Sequence, residues 1–275
     1  MRFVQISDTH VRKQYGSEGA DALLGKLPVP ANNLRKILQD TDWTQTDFAV
    51  ITGDLVHEGI CEDYEFLKNL IEEEVPSDKK VLYVLGNHDE KEAFNEVFLG
   101  KKEATPYHYV EYVDGYRLFV LDSAVPGKES GRILPEQLEW LSQVLAEPSE
   151  KGSMIFVHHP LFWCGEQLYH MEMTNSEEVL EVLKGSDVFA IFSGHTHKNA
   201  TNAMNGFIQY TCDSTAFSGA VLDKTRIGYI DKVGYLTAEV NGQNATVSYQ
   251  TLGEYNAAVS MTFEEMKDML KKRDE

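Results

Sequence analysis

Five short segments combine aspartate, asparagine and histidine in patterns that could bind divalent metal ions. The segments are Asp8-Thr-His10, Gly53-Asp54, Gly86-Asn-His-Asp89, His158-His-Pro160 and Gly194-His-Thr-His197. They offer two carboxylates, one amide oxygen and four imidazoles, at Asp8, His10, Asp54, Asn87, His158, His195 and His197. This set is too large for one tetrahedral zinc ion and suits two ions that share a bridging carboxylate. The residues therefore predict a dinuclear metal centre.

Nitrogen and oxygen ligands without thiolate suit manganese, iron, zinc or cobalt, and do not choose among them. The chain of 275 residues has 25 basic and 44 acidic residues, a net charge of -19. Such a chain is a poor partner for DNA or RNA, because lysine and arginine supply most nucleic-acid affinity. Two divalent ions would still attract a small anionic phosphodiester. We therefore expect a small substrate and no nucleic-acid polymer.

An apolar run precedes each metal-binding segment, and helical patterns lie between the runs. The runs are Phe3–Ile6, Phe48–Thr52, Lys80–Leu85, Arg117–Leu121, Met154–Val157 and Phe189–Phe192. The helical patterns are Ala31–Asp40, Cys61–Glu74, Pro135–Ala146 and Ser176–Lys184. This alternation predicts a layered α/β fold. In such folds ligands bind beyond the carboxyl ends of the strands, so the five segments could converge on one site.

Three glycine turns add hairpins to this pattern, at Asp114-Gly115, Asn205-Gly206 and Asn241-Gly242. They predict mixed sheets and a β-rich second half over residues 200–260. A charged amphipathic helix is expected at Thr262–Arg273. Because no repeat or linker interrupts the chain, we expect a single domain over residues 1–275.

The spacing within the segments predicts which side chains share a face. In extended backbone, residues i and i+2 point the same way, so Asp8 and His10 could face one metal together. The same argument predicts a shared side for His195 and His197. His57 is interpreted as a solvated or helix-entry side chain, and His159 as a structural partner of its neighbour.

Taken in order, the five segments resemble the signature of the calcineurin-like metallophosphoesterases over residues 3–197. Within that superfamily the chain most resembles the bacterial class III cyclic nucleotide phosphodiesterases and the related glycerophosphodiesterases. The supporting stretches are Asp8-Thr-His10, Gly86-Asn-His-Asp89, Leu121-Asp-Ser123 and Gly194-His-Thr-His197. The resemblance implies a four-layer α/β/β/α sandwich of two mixed sheets flanked by helices.

The resemblance also implies a role for each candidate residue. One metal would take Asp8, His10 and His197, and the other Asn87, His158 and His195, with Asp54 bridging. His88 would be catalytic beside the phosphate. As a separate hypothesis of mechanism, Asp89 would orient His88, because carboxylates commonly orient functional histidines. A hydroxide bridging the ions would attack phosphorus, while His88 stabilises the developing charge or protonates the leaving oxygen.

The leading hypothesis is a metal-dependent phosphodiesterase that acts on a small diester. The first candidate substrate is 3′,5′-cyclic AMP. A glycerophosphodiester or a broad range of diesters is the alternative. A non-enzymatic scaffold is disfavoured, since every ligand position is filled. A protein phosphatase is also disfavoured, because Gly53–Gly59 lacks the Asp-Arg-Gly segment of that family.

The start of the chain has no apolar leader, and no run approaches 18 apolar residues. We therefore expect a cytoplasmic protein without membrane contact, in which Cys61, Cys164 and Cys212 are reduced thiols. A homodimer is left open. The segments Val11–Pro30 and Cys164–Asn175 could cover the site, and their aromatic residues could stack on a base, although burial is the commoner reason for such residues.

Overall fold

The computed structural model describes residues 1–17, 22, 25–163, 173–204, 206–224, 226–253 and 262. Within these residues, strands β1 to β13 span Arg2–Ile6, Phe48–Thr52, Lys80–Val84, Tyr109–Val113, Tyr116–Leu121, Ser153–Val157, Val188–Ser193, Ala200–Met204, Phe207–Thr211, Ser218–Asp223, Arg226–Ile230, Val233–Asn241 and Asn244–Leu252. Helices α1 to α5 span Pro30–Asp40, Cys61–Glu74, Lys91–Phe94, Pro135–Leu145 and Ser176–Leu183. A π-helical turn over Asn95–Leu99 continues α3.

Local chemistry explains where several of these elements begin and turn. Pro30 and Pro135 stand in the first turns of α1 and α4, where a missing N–H costs no helical hydrogen bond. The β4–β5 hairpin turns at Asp114 and Gly115, whose φ angles of 49° and 82° are both left-handed. A two-residue hairpin turn of this kind requires that conformation, so the hairpin prediction is confirmed.

Two sheets pack face to face between two layers of helices. Their strand orders are β13-β12-β1-β2-β3 and β4-β5-β6-β7-β9-β8. Strands β1 to β3 run parallel, as do β5, β6, β7 and β9. The hairpin pairs and the pair β1–β12 are antiparallel. Helices α1 and α2 cover the first sheet, and α4 and α5 cover the second. The predicted four-layer sandwich of two mixed sheets is confirmed.

The core between the sheets is built on aromatic rings. Phe3 of β1 stacks on Phe48 of β2 at 4.9 Å between ring centroids. It meets the edges of Phe156 and Phe192, from the second sheet, at 5.6 and 5.1 Å. All four side chains are at most 2% exposed. Because neighbouring residues of β1 alternate between faces, Val4 packs instead against the helices.

Some expectations fall on residues outside the described part of the chain. They are residues 164–172 of the predicted covering segment, residues 18–21, 23 and 24 of the other one, Asn205, and the helix expected at Thr262–Arg273 apart from its first residue. The single-domain organisation stays a prediction. Among the described residues, no helix is both long and apolar enough to cross a membrane. Cys61 and Cys212 are free thiols.

A buried ion pair at the start of β7 gives a first testable prediction. Arg117 donates to both carboxylate oxygens of Asp187 at 2.9 and 3.0 Å, and neither side chain is more than 9% exposed. Asp187→Ala would leave a buried guanidinium without its counter-charge. We expect the free energy of unfolding to fall by about 3–5 kcal/mol, measured by urea denaturation.

The exposed pair Glu181–Lys184 provides the matched control. Its charged atoms lie 3.5 Å apart and both side chains are 74% exposed. Glu181→Ala should therefore change the free energy of unfolding by no more than about 1 kcal/mol. Equal losses in the two variants would contradict a special role for the buried pair.

Candidate metal centre

The five polar segments converge where the two sheets meet. We call this edge, formed by the carboxyl ends of β1, β2, β3, β6 and β7, the seam. Hydrogen bonds cross it: His158 Nδ1 donates to the Thr52 carbonyl at 2.8 Å, and the backbone N–H of His195 donates to the Asp8 carboxylate at 3.0 Å. The side chain of Gln5 also reaches the Ser193 carbonyl at 2.9 Å. The predicted convergence is confirmed.

Two groups of side chains at the seam present possible ligand atoms within 4.8 Å of one another. The first cluster is Asp8, His10, Asp54 and His197; the second cluster is His158, His159 and His195. The Asn87 amide oxygen lies 3.1 Å from Nε2 of His158 and so belongs beside the second cluster. All seven candidate ligands are therefore brought together, and each cluster could hold a metal ion.

Asp54 lies between the two clusters. One carboxylate oxygen, Oδ2, is 3.7 Å from Nε2 of His10 and 3.4 Å from Nε2 of His158. The other, Oδ1, accepts the backbone N–H of His88 at 2.9 Å. The side chain is 2% exposed. A single buried carboxylate thus faces imidazole nitrogens from both clusters.

The backbone that aims these side chains is left-handed, so the argument from extended backbone is wrong. Positive φ angles between 42° and 68° occur at Asp8, His10, Asp54, His195 and His197. This conformation is strained for residues other than glycine and is concentrated at functional sites. In the first segment both side chains still face one cluster. In the last segment they separate, because His195 joins the second cluster and His197 the first.

Two glycines of the sequence motifs permit this close approach of strand ends. A Cβ added at Gly194 would collide with Ser7 Oγ and the Asp8 carboxylate. A Cβ at Gly86 would collide with Oδ1 and the backbone nitrogen of Asp54. Each glycine therefore stands where any other side chain would displace a cluster carboxylate.

Backbone carbonyls orient two of the cluster imidazoles. His158 donates from Nδ1 to Thr52, and His197 donates from Nδ1 to the Phe217 carbonyl at 2.8 Å. Because a carbonyl can only accept, the proton stands on Nδ1 and Nε2 faces the cluster. Such an outer partner is typical of metal-binding histidine.

The electrostatics of the seam also suit a divalent cation. Burial lowers the pKa of His10 well below its usual value and, with the charge of His158, lowers that of His195 to about 3. Burial opposes ionisation of Asp8 and Asp54, but the neighbouring imidazoles outweigh it and lower both carboxyl pKa values.

Burial also disfavours the charged forms of His158 and His197, but Asp54 and Asp8 outweigh it, raising the pKa of His158 to about 9 and that of His197 above its usual value. Metal ions bind neutral imidazole and ionised carboxylate, so an ion at the seam would displace these protons, whose positive charge the carboxylates already attract. The donor set therefore fits a divalent metal.

His88 lies on the open side of the clusters, with 22% of its side chain exposed. Its Nδ1 is 3.6 Å from the Glu58 carboxylate, and its ring stacks on His57 at 4.7 Å between centroids. His57 is itself 6% exposed, and its Nδ1 is 3.1 Å from Nδ1 of His10. The interpretation of His57 as a solvated or helix-entry side chain is therefore wrong. No spacing rule marks it, because its partners come from distant parts of the chain.

Asp89 does not orient His88, so that hypothesis of the mechanism is wrong. Its buried carboxylate accepts three backbone N–H groups and one hydroxyl, from Gly86, Leu55, Val56 and Tyr64, at 2.8 to 3.3 Å. These bonds tie the loop after β3 to the loop after β2. Asp89 therefore supports the segments that carry the clusters, and the carboxylate nearest to His88 Nδ1 is that of Glu58.

His159, although close enough to belong to the second cluster, is held by neighbouring groups at both ring nitrogens, and Glu129 supports the same cluster from outside. The His159 ring nitrogens lie 2.7 Å from Ser123 Oγ and 3.0 Å from the Glu129 carbonyl, in agreement with a structural role. The Glu129 carboxylate accepts from Nδ2 of Asn87 at 3.1 Å, which leaves the amide oxygen facing His158. The sequence analysis missed Glu129, since nothing in the loop after β5 marks it.

Known proteins are similar to this chain in sequence and in fold. Residues 1–199 match the calcineurin-like phosphoesterase family. A probable cyclic nucleotide phosphodiesterase of Rhodococcus erythropolis is 34% identical over 221 residues, 78% of this chain and 71% of that protein. A probable glycerophosphodiester phosphodiesterase of Arcobacter nitrofigilis is 28% identical over 241 residues, 80% of this chain and 81% of that protein.

A crystal structure of a dimetal phosphatase from Danio rerio has the same fold, with a TM-score of 0.68. It is 16% identical, and the match covers 91% of this chain and 96% of that one. At that identity the likeness supports the fold alone. The extent of the family match and the 34% identical relative together show that this chain is a phosphoester hydrolase of the calcineurin-like phosphoesterase family.

Proposed function

We propose that the chain holds two divalent metal ions at the seam and hydrolyses a small phosphodiester. The observation that supports two ions most directly is the position of Asp54, one oxygen of which faces imidazole nitrogens of both clusters. A carboxylate shared in this way is the usual link in a two-metal centre. The proposed ligands of the first ion are Asp8, His10 and His197, those of the second are Asn87, His158 and His195, and Asp54 is shared. Manganese or iron is proposed first, and zinc or cobalt also suits these ligands.

The residues around the ions would contact the substrate and orient the metal ligands. When bound, two such ions supply a coordinated water of lowered pKa and offset the negative charge of the phosphoryl oxygens. His88, on the open side of the clusters, is placed to donate a hydrogen bond or a proton to a substrate oxygen. Glu58 near its Nδ1 leaves Nε2 available for that contact. Glu129 keeps the amide oxygen of Asn87 turned toward the second cluster.

The proposed substrate is 3′,5′-cyclic AMP. The Rhodococcus relative is named for cyclic nucleotides, and the net charge of -19 disfavours a nucleic-acid polymer. A glycerophosphodiester is the second candidate, supported by the Arcobacter relative. The expected cytoplasmic location and the expected lack of membrane and nucleic-acid partners belong to the same proposal.

Phosphorus NMR of 3′,5′-cyclic AMP with the manganese-loaded chain tests this function. We expect the signal of AMP to appear with manganese and to stay absent when a chelator is added. If glycerophosphoethanolamine or bis(p-nitrophenyl) phosphate is hydrolysed while cyclic AMP stays intact, the proposed diester hydrolysis is supported and the proposed substrate is wrong. If no diester is cleaved with any of the four metals, the proposal is wrong and a scaffold role is favoured.

A further inference from the structure

Two aromatic rings lead from the first cluster to the surface. The ring centroid of Phe217 is 4.4 Å from that of His197 and 5.5 Å from that of His10. Tyr229 meets Phe217 edge to face, at 4.8 Å and 77°. Phe217 is half-buried, whereas Tyr229 is 54% exposed. The outer ring therefore stands two ring contacts away from a cluster histidine.

The fold anchors this aromatic pair to the first cluster. Phe217 immediately precedes β10, and Tyr229 lies on β11; these strands form a small sheet separate from the two main sheets. The Phe217 carbonyl accepts from His197, and its N–H donates to Ser214 Oγ at 3.2 Å. That hydroxyl in turn donates to the Asp8 carbonyl at 2.8 Å. These hydrogen bonds fix the position of the aromatic pair relative to the first cluster.

An exposed tyrosine backed by a second ring offers a planar apolar surface beside the place where a phosphate would bind. Bases stack on aromatic side chains with little regard to sequence, and one such contact strengthens binding by about five- to 150-fold. The chain is strongly acidic, so it has little general attraction for the phosphate of a nucleotide away from the clusters. A stacking contact needs no positive charge and can therefore bind the rest of the nucleotide in such a chain.

We propose that Tyr229, supported by Phe217, stacks on the base of a nucleotide whose phosphate is held at the clusters. The hairpin β10–β11 would then make the site selective for nucleotides over diesters without an aromatic ring. This inference rests on the proposed function, because the clusters place the phosphate. It assigns base stacking to a different part of the chain from the two covering segments considered in the sequence analysis.

Binding of AMP and of inorganic phosphate to the manganese-loaded full chain, measured by isothermal titration calorimetry, tests the proposal. Tyr229→Ala should weaken AMP binding about tenfold and leave phosphate binding unchanged. Tyr229→Phe should bind AMP like the unaltered chain, because the ring is kept. Tyr112→Ala is the matched control, since that tyrosine is 58% exposed on β4; it should change neither affinity.

The comparison of the two ligands decides the inference. Equal weakening of AMP and phosphate would mean that Tyr229 only supports the cluster, and would overturn stacking. Unchanged AMP binding in Tyr229→Ala would overturn it as well, as would an unaltered chain that binds AMP no more tightly than phosphate. Hydrolysis of cyclic AMP by the unaltered chain is scored separately, so failure of the proposed function is distinguishable from failure of the stacking site.

Discussion

Asp54→Ala is expected to lose bound metal and diester hydrolysis together. The substitution removes the one oxygen that faces both His10 and His158, and so would weaken both proposed ions at once. It also leaves the buried imidazoles without the charge that offsets a cation. We expect metal content after dialysis to fall close to zero and kcat/KM to fall by about 10³-fold or more. Metal content is measured by elemental analysis and turnover with bis(p-nitrophenyl) phosphate.

Two further variants separate loss of a ligand from loss of structure. Asp54→Asn keeps an oxygen that can accept from the His88 N–H and should retain more metal than the alanine variant. Asp187→Ala removes another buried carboxylate at the opposite end of β7 and should keep its metal even though it is less stable. Full metal content in Asp54→Ala would overturn the shared-ligand assignment.

His88→Ala is expected to lower turnover by about 10²- to 10⁴-fold while both proposed ions stay bound. Within the described part of the chain, the bond from this residue to a proposed ligand is made by its backbone N–H, which alanine retains. Its imidazole belongs to neither cluster. Steady-state kinetics should therefore show a lower kcat. The metal content of the variant should equal that of the unaltered chain.

His108→Ala is the matched control for that experiment. His108 is a half-buried histidine that packs against Trp140 at 4.8 Å and contributes to neither cluster. It should leave kcat unchanged. A His88→Ala chain with normal kcat, or one that has lost its metal, would show that the proposed division between ligands and catalytic group is wrong.

The sequence predicts the framework well because the framework depends on local signals. Apolar runs bounded by turn residues placed β2 at Phe48–Thr52, and helical spacing placed α2 at Cys61–Glu74, both as observed. The convergence of the ligands followed from a rule of parallel sheets, that strand ends of one direction share an edge. Neither prediction depends on the contacts between one strand end and another.

The finer geometry of the site depends on contacts that no local pattern records. The left-handed backbone of Asp8 and His10 is held by bonds from their N–H groups to carbonyls of the loop after β2, at 3.0 and 2.8 Å. Asp89 turned to that same loop instead of to His88, because the N–H groups of Leu55 and Val56 there, which have no strand partner, need a buried acceptor more than a partly exposed ring does. His57 was misjudged for the same reason, since its partner His10 lies 47 residues away.

Metal bound at the seam, as proposed, would stabilise the fold as well as supply the chemistry. The first cluster combines Asp8, His10 and Asp54 from one sheet with His197 from the other. An ion bound there would therefore hold the two sheets of the sandwich together. Binding of this kind adds about 2.7 kcal/mol of stability when the free ion is at 100 times its dissociation constant. A truncation in the aromatic core between the sheets, at Phe3 for example, would then destabilise the chain further when metal is scarce than when metal is abundant. The amino-acid substitutions that this protein tolerates would therefore depend on how much metal is available in the cell.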